Sequence, residues 1–146
     1  MNRPTPPSGV NPPAAFDVGD GRRIDLAPLA ARLCELYYEA YPDDLERYGE
    51  AGRAWCDHDS RYLLAWALED AGAGTLSAVE QVQWLGRVLA GRNFPVARLA
   101  HHVELTAAVL EAEVPDDLGR RAALLMREAA STLDPARPAR APDASE

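Results

Sequence analysis

The chain has 146 residues, of which 47% are hydrophobic and 26% charged, so it can form one domain with a core that needs neither disulfides nor metals. Its net charge of −8 disfavours binding to nucleic acids and to anionic membranes, because phosphate groups repel an acidic surface. No segment approaches about 20 continuous apolar residues, and the first residues lack the apolar run of a signal peptide. We therefore expect a cytoplasmic protein of bacterial type.

Proline-rich segments lie at both ends of the chain. Residues 1–24 combine several prolines with the turn-forming run Asp17-Val18-Gly19-Asp20-Gly21, and residues 134–146 contain three more prolines. Such segments bury too little apolar surface to offset the entropy cost of ordering them. We predict a disordered or loosely docked arm over 1–24, a single helical domain over 25–133 and a disordered tail over 134–146.

The first two predicted helices are separated by Pro42. The first covers about 25–41 and carries a row of leucines on one side. The second covers 43–71 and begins with two aspartates, whose negative charges suit the exposed amides of a helix start. We expect this second helix to bend near Gly49–Gly52 or over 57–60, where helix-weakening residues cluster.

Three more helices follow. Ser77 and Glu80 have the spacing of a capping box, which predicts a helix over 77–91. Proline residues precede the next two helices, predicted over 95–112 and 115–133. No segment alternates with a period of two, so we predict no sheet. The predicted fold is all-α, with five helices packed as a bundle or in a globin-like arrangement.

A stripe of mostly large side chains follows one face of the second helix. Its members are spaced alternately by three and four residues: Leu45, Tyr48, Gly52, Trp55, Asp59, Tyr62 and Trp66. We expect this face to point at the core. An isolated buried carboxylate is very costly, so Asp59 is predicted either to pair with an arginine or histidine, or to line a small polar pocket.

The pocket hypothesis makes Asp59 a proton acceptor or an anchor for a ligand. The candidate pocket residues are Tyr48, Trp55, Cys56, Asp59, Tyr62, Trp66 and His102. The alternative is that Asp59 only fixes the packing between helices.

Histidine and cysteine residues offer little further chemistry. His58 and His102 are possible haem ligands, but adjacent His101 and His102 point about 100° apart on a helix and cannot both bind one ion. Cys34 and Cys56 show no metal or redox spacing and are predicted to be partly buried small hydrophobes. Phosphate-binding loops and nucleophile motifs are absent from the sequence. We therefore predict no catalytic residues, no metal and no cofactor.

An apolar surface is predicted on the third and fourth helices, outside the faces assigned to the core. Its candidate residues are Trp84, Val88, Leu105 and Val109. Exposed apolar patches usually mark contacts between proteins, and a two-fold dimer is the commonest such contact. We predict a homodimer; the alternative is that the N-terminal arm covers this surface through Phe16.

Two short segments resemble a known helical domain. The first runs from Tyr48 to Leu64, with Tyr-Gly-Glu-x-Gly followed by a cysteine, an aspartate and an aromatic–leucine pair. The second is Val82-Gln83-Trp84-Leu85 followed by Leu89 and Gly91-Arg92. Together they resemble the globin-like sensor domain that precedes cobalamin-binding modules in actinobacterial-type signalling proteins. In outline they are also similar to haem-free globin-like sensors of stress-signalling complexes.

The resemblance extends over residues 25–133 and is incomplete. The cobalamin module and its Asp-x-His-x-x-Gly motif are absent, and Leu63 stands where the family often has histidine. A helical domain without the output module implies a stand-alone sensor, adaptor or subunit.

The sequence thus favours a non-catalytic regulatory, sensor or adaptor domain that acts through contacts with other proteins and binds at most a small apolar ligand. Two alternatives stay open. One is a small enzyme or accessory subunit that uses the Asp59 pocket, and the other is a haem or tetrapyrrole sensor that uses His58 or His102.

Overall fold

The computed structural model of the chain describes residues 11–19 and 21–133. Within them, two short strands precede five helices, so the predicted all-α, five-helix fold is confirmed apart from the strands. The elements in chain order are β1 (Ala15–Gly19), β2 (Arg22–Asp25), α1 (Leu26–Ala40), α2 (Asp43–Gly72), α3 (Ala78–Gly91), α4 (Val96–Glu113) and α5 (Asp117–Ser131).

Local capping sets where α3 and α5 begin. The Ser77 hydroxyl accepts a hydrogen bond from the Glu80 amide at 3.2 Å, as the predicted capping box requires. At the start of α5, a carboxylate oxygen of Asp116 accepts from the Gly119 amide at 3.2 Å. A Cβ atom on Gly119 would lie 1.7 Å from the carbonyl oxygen of Val114, so this tight entry into α5 requires glycine.

The strands correct two predictions. β1 and β2 pair antiparallel, with Phe16 opposite Ile24, and the backbone of Gly21 has a φ of 77° in the connecting turn. The predicted absence of strands is therefore wrong, and residues 15–19 and 22–25, nearly all of them in the arm predicted as disordered or loosely docked, form a hairpin. An isolated two-stranded hairpin is marginal in water, and this hairpin gains its stability by packing Phe16, Val18 and Ile24 against the helical core. Residues 1–10 and 134–146 lie outside the described residues.

The core lies between all five helices, with α4 packed most extensively against α5 and α1 packed against both α2 and α4. Its largest fully buried apolar side chains are Leu26, Leu33, Leu63, Leu64, Leu68, Val82, Leu99, Val103, Leu110 and Met126. Within the described residues, none of the helices is both long enough and apolar enough to cross a membrane.

Helix α2 bends where a bend was expected, but it buries a different face. Gly49 leaves helical geometry, with φ 64° and ψ −151°. After it, the buried residues are Cys56, Ser60, Leu63, Leu64, Ala67, Leu68 and Ala71. This face lies one residue after the predicted stripe, which corresponds to a rotation of about 100°. The prediction that the stripe points at the core is wrong.

Candidate functional site

Four aromatic rings follow one another along the partly exposed flank of α2. We call Trp55, His58, Tyr62 and Trp66 the aromatic strip. Its successive ring centroids are 5.1, 5.0 and 5.9 Å apart, within the range of favourable aromatic contacts. All four side chains are partly exposed. The strip therefore presents a continuous row of partly exposed rings along α2, with Trp66 at one end also packed against the core.

Asp59 lies within this strip and is partly buried. Its side chain is 21% exposed, and one carboxylate oxygen lies 3.1 Å from Nδ1 of His58. Histidine was one of the two partners expected for it. The guanidinium of Arg92 lies 5.8 Å from the ring centroid of Trp55, so the strip already holds a cation against an aromatic face.

A second polar cluster lies on the buried side of α2, around Ser60. The Ser60 hydroxyl oxygen is 2.9 Å from Nε2 of His102 on α4. The same oxygen lies 3.5 Å from the sulfur of Cys34 on α1 and 4.0 Å from the sulfur of Cys56. Ser60 thus joins three helices through one hydroxyl group.

Burial controls the charges in this Ser60 cluster. Desolvation lowers the pKa of His102 to about 4, so its imidazole is neutral at pH 7. In the tautomer with its proton on Nε2, His102 donates to the Ser60 hydroxyl oxygen, which leaves the hydroxyl proton for the sulfur of Cys34. The two neighbouring thiols affect each other: Cys56 lowers the pKa of Cys34, and Cys34 together with burial raises the pKa of Cys56.

A third cluster ties α1, α2 and α4 together through Asp44. The hydroxyl of Tyr37 donates to one oxygen of Asp44 at 2.5 Å, and the guanidinium of Arg98 donates to the other at 2.6 Å. Arg98 also contacts Asp43 at 3.0 Å and lies 4.5 Å from the ring centroid of Tyr41. Both carboxylates of this cluster have a donor, so we interpret the cluster as a structural connection between the three helices.

The residues predicted to share one pocket are divided among three places. Trp55, Asp59, Tyr62 and Trp66 lie on the exposed flank of α2, whereas Cys56 and His102 lie in the buried Ser60 cluster. Tyr48 precedes the bend at Gly49, and its ring contacts that of Phe94, with centroids 6.4 Å apart. Sequence reasoning missed Ser60 and Asp44. The helical spacing of the small residues on α2 could have indicated that Ser60 faces the core. No short segment of the sequence indicated that Asp44 pairs with Arg98.

The structure also shows where His101 and the residues of the predicted apolar surface lie. Nδ1 of His101 lies 2.7 Å from the hydroxyl of Tyr41. Trp84 is 51% exposed, and Val88 and Leu105 are partly buried. Val109 is only 2% exposed and belongs to the core, so its assignment to a contact surface is wrong.

The surface of the described residues includes two grooves. The larger, of about 520 Å³, lies between α1 and α2, and its lining includes Cys34, Glu35, Glu39, Arg53 and Asp57. The smaller, of about 360 Å³, lies where β1 meets the end of α2 and the start of α5. Neither is lined by Asp59. Over the described ranges, no group of three or more histidine, cysteine, aspartate or glutamate side chains is arranged to hold a metal ion.

Comparison with protein-family models, with curated proteins and with solved structures finds no match for the chain. The resemblance to globin-like sensor domains therefore stays a prediction, and any function has to be inferred from the geometry of the clusters described above.

Proposed function

We propose that the chain is a non-catalytic regulatory or adaptor domain of the cytoplasm that binds a protein partner through the aromatic strip of α2. The observation that carries the proposal is the unbroken row of four partly exposed rings, with a carboxylate between them.

The shape of the strip suits a partner helix or extended segment. From Trp55 to Trp66 it extends about 16 Å along α2, which corresponds to about three helical turns. Tryptophan and tyrosine are enriched among the residues that contribute most to binding energy between proteins, because they bury a large area and lose few rotamers. Two of the three tryptophans of the chain lie in this strip.

The charge of the strip favours a basic partner. Asp59 lies between the rings, the net charge of the chain is −8, and Arg92 already places a guanidinium near Trp55. Carboxylates next to aromatic faces attract arginine and lysine side chains by ion pairing and by cation–π contact. Opposite net charge also raises the rate of association.

The alternatives have weaker support. The hypothesis of an enzyme needs Asp59 to face a reaction chamber, yet Asp59 lines neither described groove. A haem sensor through His102 would have to break the bond between its Nε2 and Ser60. The groove beside Cys34 is rich in charged side chains, so it suits a polar ligand better than an apolar one.

Tryptophan fluorescence can test the strip directly. In a Trp84→Phe background the remaining tryptophans, Trp55 and Trp66, both belong to the strip. An arginine-rich amphipathic peptide is expected to change this fluorescence, and a peptide with glutamate in place of arginine is not. Tyr62→Ala should weaken peptide binding by about tenfold or more, as expected for an aromatic residue central to an interface.

Matched variants separate specific docking from general attraction. Asp59→Asn should also weaken binding, whereas Asp117→Asn removes the same charge from an exposed position on α5 and should have little effect. Equal losses from both aspartate variants, or equal binding of the two peptides, would contradict the proposal.

Self-association is the second part of the proposal and concerns a different surface. Trp84 is the large aromatic side chain that α3 exposes most, and Val88 lies one helical turn away. We expect sedimentation at micromolar concentration to show a dimer of the 15.8 kDa chain, and Trp84→Ala to sediment as a monomer. A monomeric wild-type protein would contradict the proposed self-association and would leave the proposal about the aromatic strip unchanged.

A further inference from the structure

The two cysteines of the chain meet at the base of the groove between α1 and α2. Cys34 is partly exposed and lines the groove, whereas Cys56 is buried behind it. Both sulfurs lie within 4.0 Å of the same hydroxyl oxygen, that of Ser60. One thiol is thus open to solvent and the other is held next to it.

We propose that Cys34 and Cys56 form a redox-active dithiol that reacts with small cationic disulfides entering this groove. Cys34 is the attacking residue, because it is the thiol that the groove exposes. Cys56 is the resolving residue, because its sulfur lies near the same Ser60 hydroxyl as that of Cys34 and it is shielded from the groove. The site is separate from the aromatic strip, so the inference does not rest on the proposed partner.

The surroundings of the pair distinguish the two thiols. The neighbouring thiol of Cys56 lowers the pKa of Cys34; burial opposes this effect, and the hydrogen bond with Ser60 lowers the pKa further. The carboxylates of Asp57 and Asp59 raise the pKa of Cys34. The balance favours the thiolate on Cys34 and the neutral thiol on Cys56, as an attacking and a resolving cysteine require.

The reaction balances with the disulfide R–S–S–R as the oxidant. The Cys34 thiolate attacks one sulfur, the S–S bond of the reagent breaks, and RS⁻ leaves with the electron pair. Cys56 then loses its proton and attacks the Cys34 sulfur of the mixed disulfide. The second RS⁻ leaves, and the Cys34–Cys56 disulfide forms. The two thiol protons of the protein end on the two RSH molecules, so one disulfide is reduced and one is formed.

The charged lining of the groove selects the class of disulfide. It carries three carboxylates, on Glu35, Glu39 and Asp57, against the single guanidinium of Arg53. Arginines outside the lining pair with two of these carboxylates, but the net charge of −8 keeps the surrounding field negative. Cationic disulfides are therefore attracted to the groove, and anionic ones are repelled.

Intact-mass measurement of the full chain with cystamine, a small cationic disulfide, tests the dithiol. The final mass of the wild-type protein is expected to be lower by the mass of two hydrogen atoms. Cys56→Ser should stop at the mixed disulfide and gain half of the reagent, whereas Cys34→Ser should stay unmodified on the same timescale. Cys56→Ala is the second variant if serine perturbs the buried position, and thermal unfolding checks that each variant folds.

Several outcomes would overturn the dithiol. They are a stable mixed disulfide on the wild-type protein, faster modification of Cys56 than of Cys34, or no reaction of folded wild-type protein at either residue. Peptide mapping of the modified chain distinguishes the first two outcomes from the expected one.

A comparison of reagents tests the substrate class. Cystamine should react about tenfold or more faster than glutathione disulfide, which is anionic, after each rate is divided by that with free cysteine. Added salt should reduce the difference, because it screens the field of the groove. Equal normalised rates for the two reagents would overturn the assignment to cationic disulfides.

Ser60 is a positioning residue in this reaction. Ser60→Ala removes a bond that lowers the pKa of Cys34, so the pH midpoint of Cys34 modification should move upward in the folded variant. An unchanged midpoint would remove Ser60 from the proposed site.

Discussion

Replacing Asp44 with alanine is expected to lower the free energy of unfolding by about 3 kcal/mol, since it removes a buried acceptor that serves two donors. The Asp44 side chain is nearly inaccessible to water. Without it, the buried hydroxyl of Tyr37 loses its partner, and Arg98 loses its shorter contact to a carboxylate. Arg98 keeps Asp43, which makes the expected loss smaller than for a fully isolated ion. Chemical denaturation measures it.

Two further variants make the Asp44 experiment specific. Asp43→Asn removes a neighbouring carboxylate that also contacts Arg98 but is exposed, so it should cost much less stability than Asp44→Ala. Adding Tyr37→Phe to Asp44→Ala should recover part of the loss, because no buried hydroxyl is then left unpaired. A loss for Asp44→Ala no larger than that for Asp43→Asn would show that the cluster is solvated.

Stability is expected to fall by about 3 kcal/mol when the pH is lowered from 6.5 to 4, because His102 is buried in its neutral form. Burial lowers its pKa from the ordinary 6.5 to about 4. Between these values the unfolded chain binds a proton that the folded chain does not, so protonation favours unfolding. Stability therefore decreases as the pH falls through this window, and the contribution of His102 levels off below pH 4.

A variant without the imidazole isolates the contribution of His102. His102→Gln keeps a polar side chain near Ser60 but cannot take up the proton, so its stability should depend much less on pH between 6.5 and 4. His101→Gln removes only a minor contribution to the lowered pKa of His102, so it should reduce the slope far less than His102→Gln. The pKa values of Glu111 and Asp116 are lowered by their arginine partners, so the stability that these carboxylates contribute is lost mainly at lower pH. Equal slopes for His102→Gln and wild type would contradict the assignment.

The limits of the helices were predictable from short segments because local interactions decide them. Ser77 caps the amide of Glu80, and Pro42 stands between α1 and α2. Both effects act within one turn of a helix and need no partner elsewhere in the chain. The bend at Gly49 is of the same kind, because glycine adopts a positive φ without steric cost.

The hairpin could not be predicted from its composition. Its strands have five and four residues, and the segment Asp17-Val18-Gly19-Asp20-Gly21 has the residue types that are typical of a disordered segment. Such strands are stable only because Phe16 and its neighbours find an apolar surface on the helices. Whether that surface is available depends on the packing of residues far away in the sequence.

The sequence by itself thus determined the number of helices, their approximate limits and the acidic character of the molecule, because each depends on local pattern or composition. Only the tertiary structure decided which face of α2 is buried. The large rings of Trp55 and Trp66 suggested one face, but α2 packs with the small side chains of Cys56, Ser60 and Ala67 facing inward. Small residues allow helices to approach closely, whereas tryptophan and tyrosine keep a polar edge that tolerates water. Because this face of α2 is buried, the two cysteines lie close to each other and the aromatic strip lies at the surface.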